Sequence, residues 1–427
     1  MAESAPVAFG RYLRVLRERR QLSLDRVARL SETSARPIDK GTLSRFERGQ
    51  QRLALSTVIP ISHIYSVPVE VLVERLELDT ELEHLGAPDT DGKSPAELRR
   101  MGSKALMRRN RRWDAFACFR DAFHRLELEG ADESGEAPER QAAVAQLNLA
   151  SVVRSLGKNR LALHELTDLE RSGRIGARLN AIVLDRISHC HRCRGDMDLA
   201  ERYADAAIAE AREFGEGRIL SVAQFARGIV AIDQADHEQG VTYLQRAFRS
   251  NRDAEGEGLA LLSNPGFEAN TLLHLAEAYS CSGSYEKAGY AARSAKRLST
   301  RAGLPGAQAY SELALGELDE RAGRHERAIQ RWRHSAKLAD SMHNRRLGFS
   351  AEFYVFRQAL HRGNQALARA SRRRLERLAP WVPEHFPLLG EFRELIPARK
   401  PVVPSMGAPV PTRVPGPSGN GGERLAR

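Results

Sequence analysis

The chain has 427 residues, 42% of them hydrophobic and only 6% aromatic, with a formal net charge of +11. Such a length implies more than one folding unit or an extended array, and so few aromatics leave Ala and Leu to fill the interior, which favours closely packed helices over a sheet sandwich. The positive balance favours polyanionic partners without bearing on the fold. Four cysteines are too few for a disulfide framework. The opening MAESAPVAFGRY lacks a basic-then-apolar secretory pattern. The most apolar stretch, Val58 to Val73, is interrupted by Pro60, His63, Pro68 and Glu70, which excludes a membrane span. The expected compartment is the cytoplasm.

Phe9, Leu13 and Leu16 recur at helical spacing and predict a first helix. Ser23 suits the N-cap of a second helix carrying Leu24, Val27, Ala28 and Leu30. A loop from Ser31 to Asp39 leads to a third helix, Gly41 to Arg48, stopped by Gly49. Lys40, Thr42, Ser44, Arg45 and Arg48 lie on a face of this segment that cannot be core. Two further helices, Ser56–Tyr65 and Val69–Leu78, flank Pro68 and complete a unit spanning residues 8–78. Residues 79–94 hold Asp79, Glu81, Glu83, Asp89 and Asp91 among Gly86, Pro88 and Gly92, the composition of an acidic linker. The sign then reverses: Lys93, Arg99, Arg100, Lys104, Arg108, Arg109, Arg111 and Arg112 stand against Glu97 alone. This stretch either extends a phosphate footprint or neutralises the linker before it.

From residue 95 to 396 every segment reads as helix. Triplets spaced i, i+4, i+7 recur: Ala115/Phe119/Ala122, Ala162/Leu166/Leu169, Ala200/Ala204/Ala207, Gly240/Leu244/Ala247, Ala288/Ala292/Ala295, Ala328/Trp332/Ser335 and Ala368/Arg372/Leu375. Their first members are 47, 38, 40, 48, 40 and 40 residues apart. A period near 40 with two helices per unit predicts a solenoid of stacked hairpins, the small residues allowing close helix approach. The two longer spacings place insertions at Gly130–Pro138 and Glu255–Pro265. Residues 397–427, rich in Pro and Gly, have no apolar period and are expected to be a disordered tail. The expected fold class is all-α.

Little points to chemistry. Residues 189–193 read H-C-H-R-C, but a structural zinc site wants four ligands, usually from two segments, and no second cluster is visible. No metal, cofactor or catalytic residue is assigned. Arg372, Arg373, Arg374 and Arg377 read as a solvated helix face.

The segment T-L-S-R-F-E-R-G, with the helices before it, resembles the Xre-type, lambda-repressor-like helix-turn-helix family over about residues 9–75. The resemblance implies a five-helix DNA-binding unit whose third helix enters the major groove. Matched to the family motif, Lys40, Gly41 and Arg45 fall at base-reading positions. Gly41 leaves one of these blank, while Lys40 and Arg45 suit the guanine acceptors O6 and N7. Thr42, Ser44 and Arg48 suit phosphates or packing, and Arg11, Arg14 and Ser23 suit phosphates. Glu47 matches the acid that pairs with a first-helix arginine, here Arg17, in a structural ion pair. The chain departs from the family in a loop about five residues longer, in Pro60, and in Leu24 where Gln is frequent.

The later segments, clearest at G-D-M-D-L-A-E-R-Y-A-D-A-A from Gly195 and L-L-H-L-A-E-A-Y from Leu272, resemble tetratricopeptide (TPR) repeats. That implies a concave groove, lined by the first helix of each hairpin, for a peptide or protein ligand. By spacing, Asn148, Arg154, Asp185, Arg192, Glu277, Glu317, Glu320 and Arg357 are its candidates. Together the two parts resemble in layout the RRNPP peptide-responsive regulators. No G-x-x-x-x-G-K-[ST] loop is present, unlike the repeat-containing activators with an ATPase module. The expectation is a sequence-specific regulator of transcription that binds double-stranded DNA as a homodimer, its array dimerising and sensing a peptide or protein. The rival is a non-catalytic interaction adaptor whose helix-turn-helix has become a docking module.

Overall fold

The computed structural model describes residues 4–396, apart from 35, 52–53, 87, 108–110, 131–136, 215–216, 254–263, 343 and 383–385. The expected disordered tail, Arg108 and Arg109 of the basic stretch, and most of the two expected insertions lie outside these residues. Among the described residues there are twenty α-helices and no strand.

Five helices form the N-terminal unit: α1 (Ala5–Arg19), α2 (Leu24–Ser31), α3 (Lys40–Glu47), α4 (Leu55–Ile64) and α5 (Val69–Leu85). The Ser23 hydroxyl accepts from Arg26 N at 3.1 Å and so starts α2. Asp39 starts α3: its Oδ1 accepts from Thr42 N (2.9 Å) and its Oδ2 from the Thr42 hydroxyl (2.6 Å). The long loop between them is anchored by buried Ser31, whose Oγ accepts from Ile38 N at 2.8 Å and donates to Ala28 O at 2.7 Å. Pro60 lies inside α4 rather than in its first turn, and is buried. Its ring removes one backbone donor from the helix.

Fourteen further helices pair as seven hairpins: α6 (Pro95–Met107) with α7 (Arg112–Leu128), α8 (Pro138–Ser155) with α9 (Asn159–Ser172), α10 (Ala177–Arg194) with α11 (Met197–Glu213), α12 (Gly217–Asp233) with α13 (His237–Asp253), α14 (Asn264–Cys281) with α15 (Tyr285–Arg301), α16 (Pro305–Arg321) with α17 (His325–Ser341), and α18 (Arg345–His361) with α19 (Gln365–Leu378). A 3-10 turn and α20 (Pro387–Leu395) complete the order. The first members of the seven triplets fall on the second helix of each hairpin, and all are buried.

The boundary expected at Leu78 is displaced. Helix α5 continues to Leu85, so the first half of the anticipated linker is helix. The physical reason is that its acids are partnered. Asp79 is buried, accepting from Arg75 Nε (2.8 Å) and Arg120 Nη1 of α7 (3.2 Å), and Glu83 accepts from Ala5 N (3.1 Å). One hydrophobic cluster runs from Phe9 through Leu82 and on to Cys190, so the N-terminal unit and the first hairpins share a core.

Candidate nucleic-acid interface and array groove

The third helix is held against α1 by two close approaches. A Cβ on Gly10 would lie 2.4 Å from Phe46 O and 2.7 Å from Glu47 O, so only glycine admits this packing. Gly49 ends the helix at φ +67°, with Val7 directly against it. Arg17 then fixes the helix end, donating from Nε (2.6 Å) and Nη2 (2.9 Å) to the two oxygens of Glu47. Both side chains are largely buried, and this hydrogen-bonded pairing raises the Arg17 guanidinium further above its ordinary value.

With Leu43 and Phe46 turned into the core, Lys40, Gly41, Arg45 and Arg48 are exposed and Thr42 and Ser44 are half-buried. Lys40 donates to Asp25 of α2 at 2.8 Å, Arg45 to the Thr42 hydroxyl at 3.0 Å, and Arg48 to Ser44 O at 3.2 Å. The hydrogen bonds from Thr42 hold the Asp39 carboxyl below its usual range, so the cap stays ionised. Ser23 is exposed, and exposed Arg14 pairs with Glu18 at 2.7 Å. Arg11 is placed differently: it is half-buried and lies within electrostatic reach of His124 on α7.

Behind this face the unit is tied to the array by a buried polar network. Arg75 donates to Asp79 and to His124 Nε2 (3.2 Å), and its guanidinium stacks 4.7 Å from the Tyr12 ring centroid. The Tyr12 hydroxyl donates to Glu165 of α9 at 2.8 Å. Arg19 reaches Glu127 (2.8 Å), Asp168 (2.8 Å) and Gln146 (2.9 Å) on three array helices. Burial, then the charges of Arg75 and Arg120, push His124 well below its usual value, which keeps the imidazole neutral.

On the array a groove of about 840 Å³ opens along the first helices of the hairpins. Every helix that lines it is such a first helix, from α8 to α18, joined by Phe386 before α20. One end carries Arg154, Asp185, Arg186, His189 and Arg192; the middle is apolar, with Val222, Phe225, Ile229 and Phe267; the far end holds Glu277, Glu317, Arg321 and Tyr354. Of the eight residues expected there, Arg154, Asp185, Arg192, Glu277 and Glu317 line it. Asn148, Glu320 and Arg357 do not, and the last two pair with each other at 3.4 Å. Burial lifts the Glu317 carboxyl to about 7, with Glu277 adding to the rise and a hydrogen bond from Tyr354 opposing it. Arg186, His189, Phe225, Tyr310 and Arg321 were missed from sequence. Their signal was the helical stripe through residues already chosen: Arg321 lies one turn beyond Glu317, and His189 one turn beyond Asp185. The aromatics were read as core.

In the H-C-H-R-C segment, Cys190 is buried while Cys193 Sγ lies 3.4 Å from His189 Nε2. Among the described residues no group of three or more candidate ligands gathers, and no helix is long and apolar enough to cross a membrane.

Residues 8–76 match the family described as helix-turn-helix domain. The whole chain is similar in fold to the apo form of RapI, at 13% identity and a TM-score of 0.50, covering 67% of this chain and 97% of that one. It is likewise similar to the Rap conjugation gene regulator of plasmid pLS20 in complex with the Phr* peptide (10%, 0.50, covering 92% and 98%). A third similar structure is a signal-transduction ATPase with numerous domains and a tetratricopeptide-repeat sensor from Pyrococcus horikoshii (14%, 0.52, covering 83% of this chain and half of that one). No curated protein gives a significant match. The N-terminal unit is therefore a helix-turn-helix domain, and the hairpins behind it form a TPR-like solenoid whose likeness to the RRNPP layout extends to three dimensions.

Proposed function

We propose that this protein is a sequence-specific DNA-binding regulator of transcription whose array senses a peptide or protein and brings two copies together. The observation that carries the reading is α3 itself: a capped helix in a helix-turn-helix domain, locked by Gly10 and the Arg17–Glu47 pair, with Lys40 and Arg45 left exposed on it. In that geometry Lys40 and Arg45 read bases, and Thr42, Ser44, Arg48, Arg14 and Ser23 meet phosphates. Arg11, within reach of His124, is left out of this set. The groove takes the ligand, which selects among arrangements of the two copies that fit half-sites about 34 Å apart.

The test is selection of random duplexes by the full-length protein, read by sequencing. A palindromic or paired half-site is expected to be enriched. Affinity for it should fall with salt, by roughly 0.9 in log K per log unit of salt for each phosphate neutralised. No enriched sequence together with a flat salt profile would refute the DNA role.

A further inference from the structure

Three arginines gather at one end of the groove: Arg154 on α8, and Arg186 and Arg192 on α10. Two have their own acids, Arg186 bonding Asp185 and Arg192 reaching Asp233 at 2.8 Å. Arg154 has no hydrogen-bonding partner among the described residues, and its Nε and that of Arg186 are buried and unpaired. Cations taken out of water are ordinarily matched by an anion, and leaving one unmatched is costly. Burial, then the neighbouring charge of Arg186, lowers Arg154 to about 10, so it keeps its proton at neutral pH despite the cost. His189 is driven to about 2 by burial and the same arginines, so it adds no competing charge. Asp185 is the acid at this end, and its carboxylate is already engaged by Arg186.

The geometry points to a carboxylate-receiving subsite at Arg154 and Arg186, for a ligand whose carboxylate is followed by apolar side chains. Those side chains would meet Val222, Phe225, Ile229 and Phe267, which line the middle of the groove beside the arginines. A planar guanidinium suits a carboxylate in two-pronged fashion. The inference rests on the peptide-sensing reading above and names the chemistry that groove would select. The same carboxylate is presented by a peptide C-terminus or by an acidic side chain.

The experiment offers the full-length protein two pools of random heptapeptides, one with free C-termini and one amidated, and reads retained peptides by mass spectrometry. Wild type should retain free-carboxyl peptides with apolar neighbours. Enrichment of acidic residues in the amidated pool would assign the carboxylate to a side chain instead of the terminus, within the same subsite. Arg154→Gln should lower retention of carboxylate-bearing peptides at least about tenfold. Its Tm without peptide should be equal to or above wild type, because an unmatched buried cation is removed. If acid-free amidated peptides are retained as well as the rest, and Arg154→Gln retains them equally, the subsite is refuted while the groove reading stands. If neither pool yields a retained peptide, both fall. A Tm lowered by more than about 5 °C in Arg154→Gln would mark Arg154 as part of the framework and overturn its assignment.

Discussion

Arg45 illustrates how one side chain can be poised yet uncommitted. Its guanidinium bonds the Thr42 hydroxyl one turn earlier, on an exposed face, so a duplex can replace that bond without unpairing anything buried. Lys40 is similar, since its exposed ion pair with Asp25 is of a kind that contributes little to stability. Replacing Arg45 with Ala is expected to cost about 1–3 kcal/mol of DNA affinity and to relax discrimination at one base position. Competition with single-base variants of the selected site measures this, and an equal loss across all sequences would place Arg45 on a phosphate. The identity of these residues was legible because a helix N-terminus with a capping acid, a glycine stop and interleaved apolar positions leaves few ways to orient eight residues. Arg11 was not legible in the same way. A half-buried arginine near a neighbouring helix and a phosphate-binding one are the same letter in sequence.

At the scale of elements, the position of α3 depends on how near α1 can come. The carbonyls of Phe46 and Glu47 occupy the space a methyl group on Gly10 would need. Gly10→Ala should therefore push the two helices apart, costing on the order of 1–3 kcal/mol of stability and weakening DNA binding although residue 10 is packed away from the exposed face. Thermal melts paired with binding isotherms test this; an unchanged Tm with unchanged affinity would show that the helices yield freely. In the array, the 40-residue period was readable because small residues recur wherever a second helix nests into its hairpin, as at Ala162, Ala200 and Ala288. The groove was half readable for a related reason. Spacing alone finds the first helix of each hairpin, but which of its exposed polar residues face the concavity depends on how each hairpin is rotated on the next. Glu317 faces in, while Glu320 turns aside to Arg357.

Across the whole molecule, the helix-turn-helix domain is joined to the array through buried charge rather than through a free linker. His124 sits among Arg75 of α5, Arg120 of its own helix, and Arg11 and Arg19 of α1, and it stays neutral in the fold. Once unfolded it takes up a proton below its ordinary value of about 6.5. Its contribution is therefore fully present above that pH and is lost as pH falls below it, reaching about 2 kcal/mol by pH 5. His189, also held neutral by burial, acts in the same direction. Tm should fall from pH 7 to pH 5, and His124→Gln should make that fall shallower without removing it. An identical pH profile in the variant would contradict the buried neutral state. Because Arg19 binds α7, α8 and α9 together, any shift of these helices is carried into α1, against which α3 is packed.

Local periodicity, capping residues and glycine stops were enough for the sequence by itself to determine that this protein is all helix, that its first five helices form a helix-turn-helix unit, and that hairpins stack behind it. These features depend on residues three, four or about forty apart, which the chain displays directly. Only the tertiary structure decided that Asp79 belongs to a buried network rather than a linker, that Tyr12 meets Glu165 across 153 positions, and that Arg154 is left without a hydrogen-bonded acid. A charged residue reads the same whether it is solvated, paired or stranded. The difference between these states lies in the distant groups that packing brings beside it.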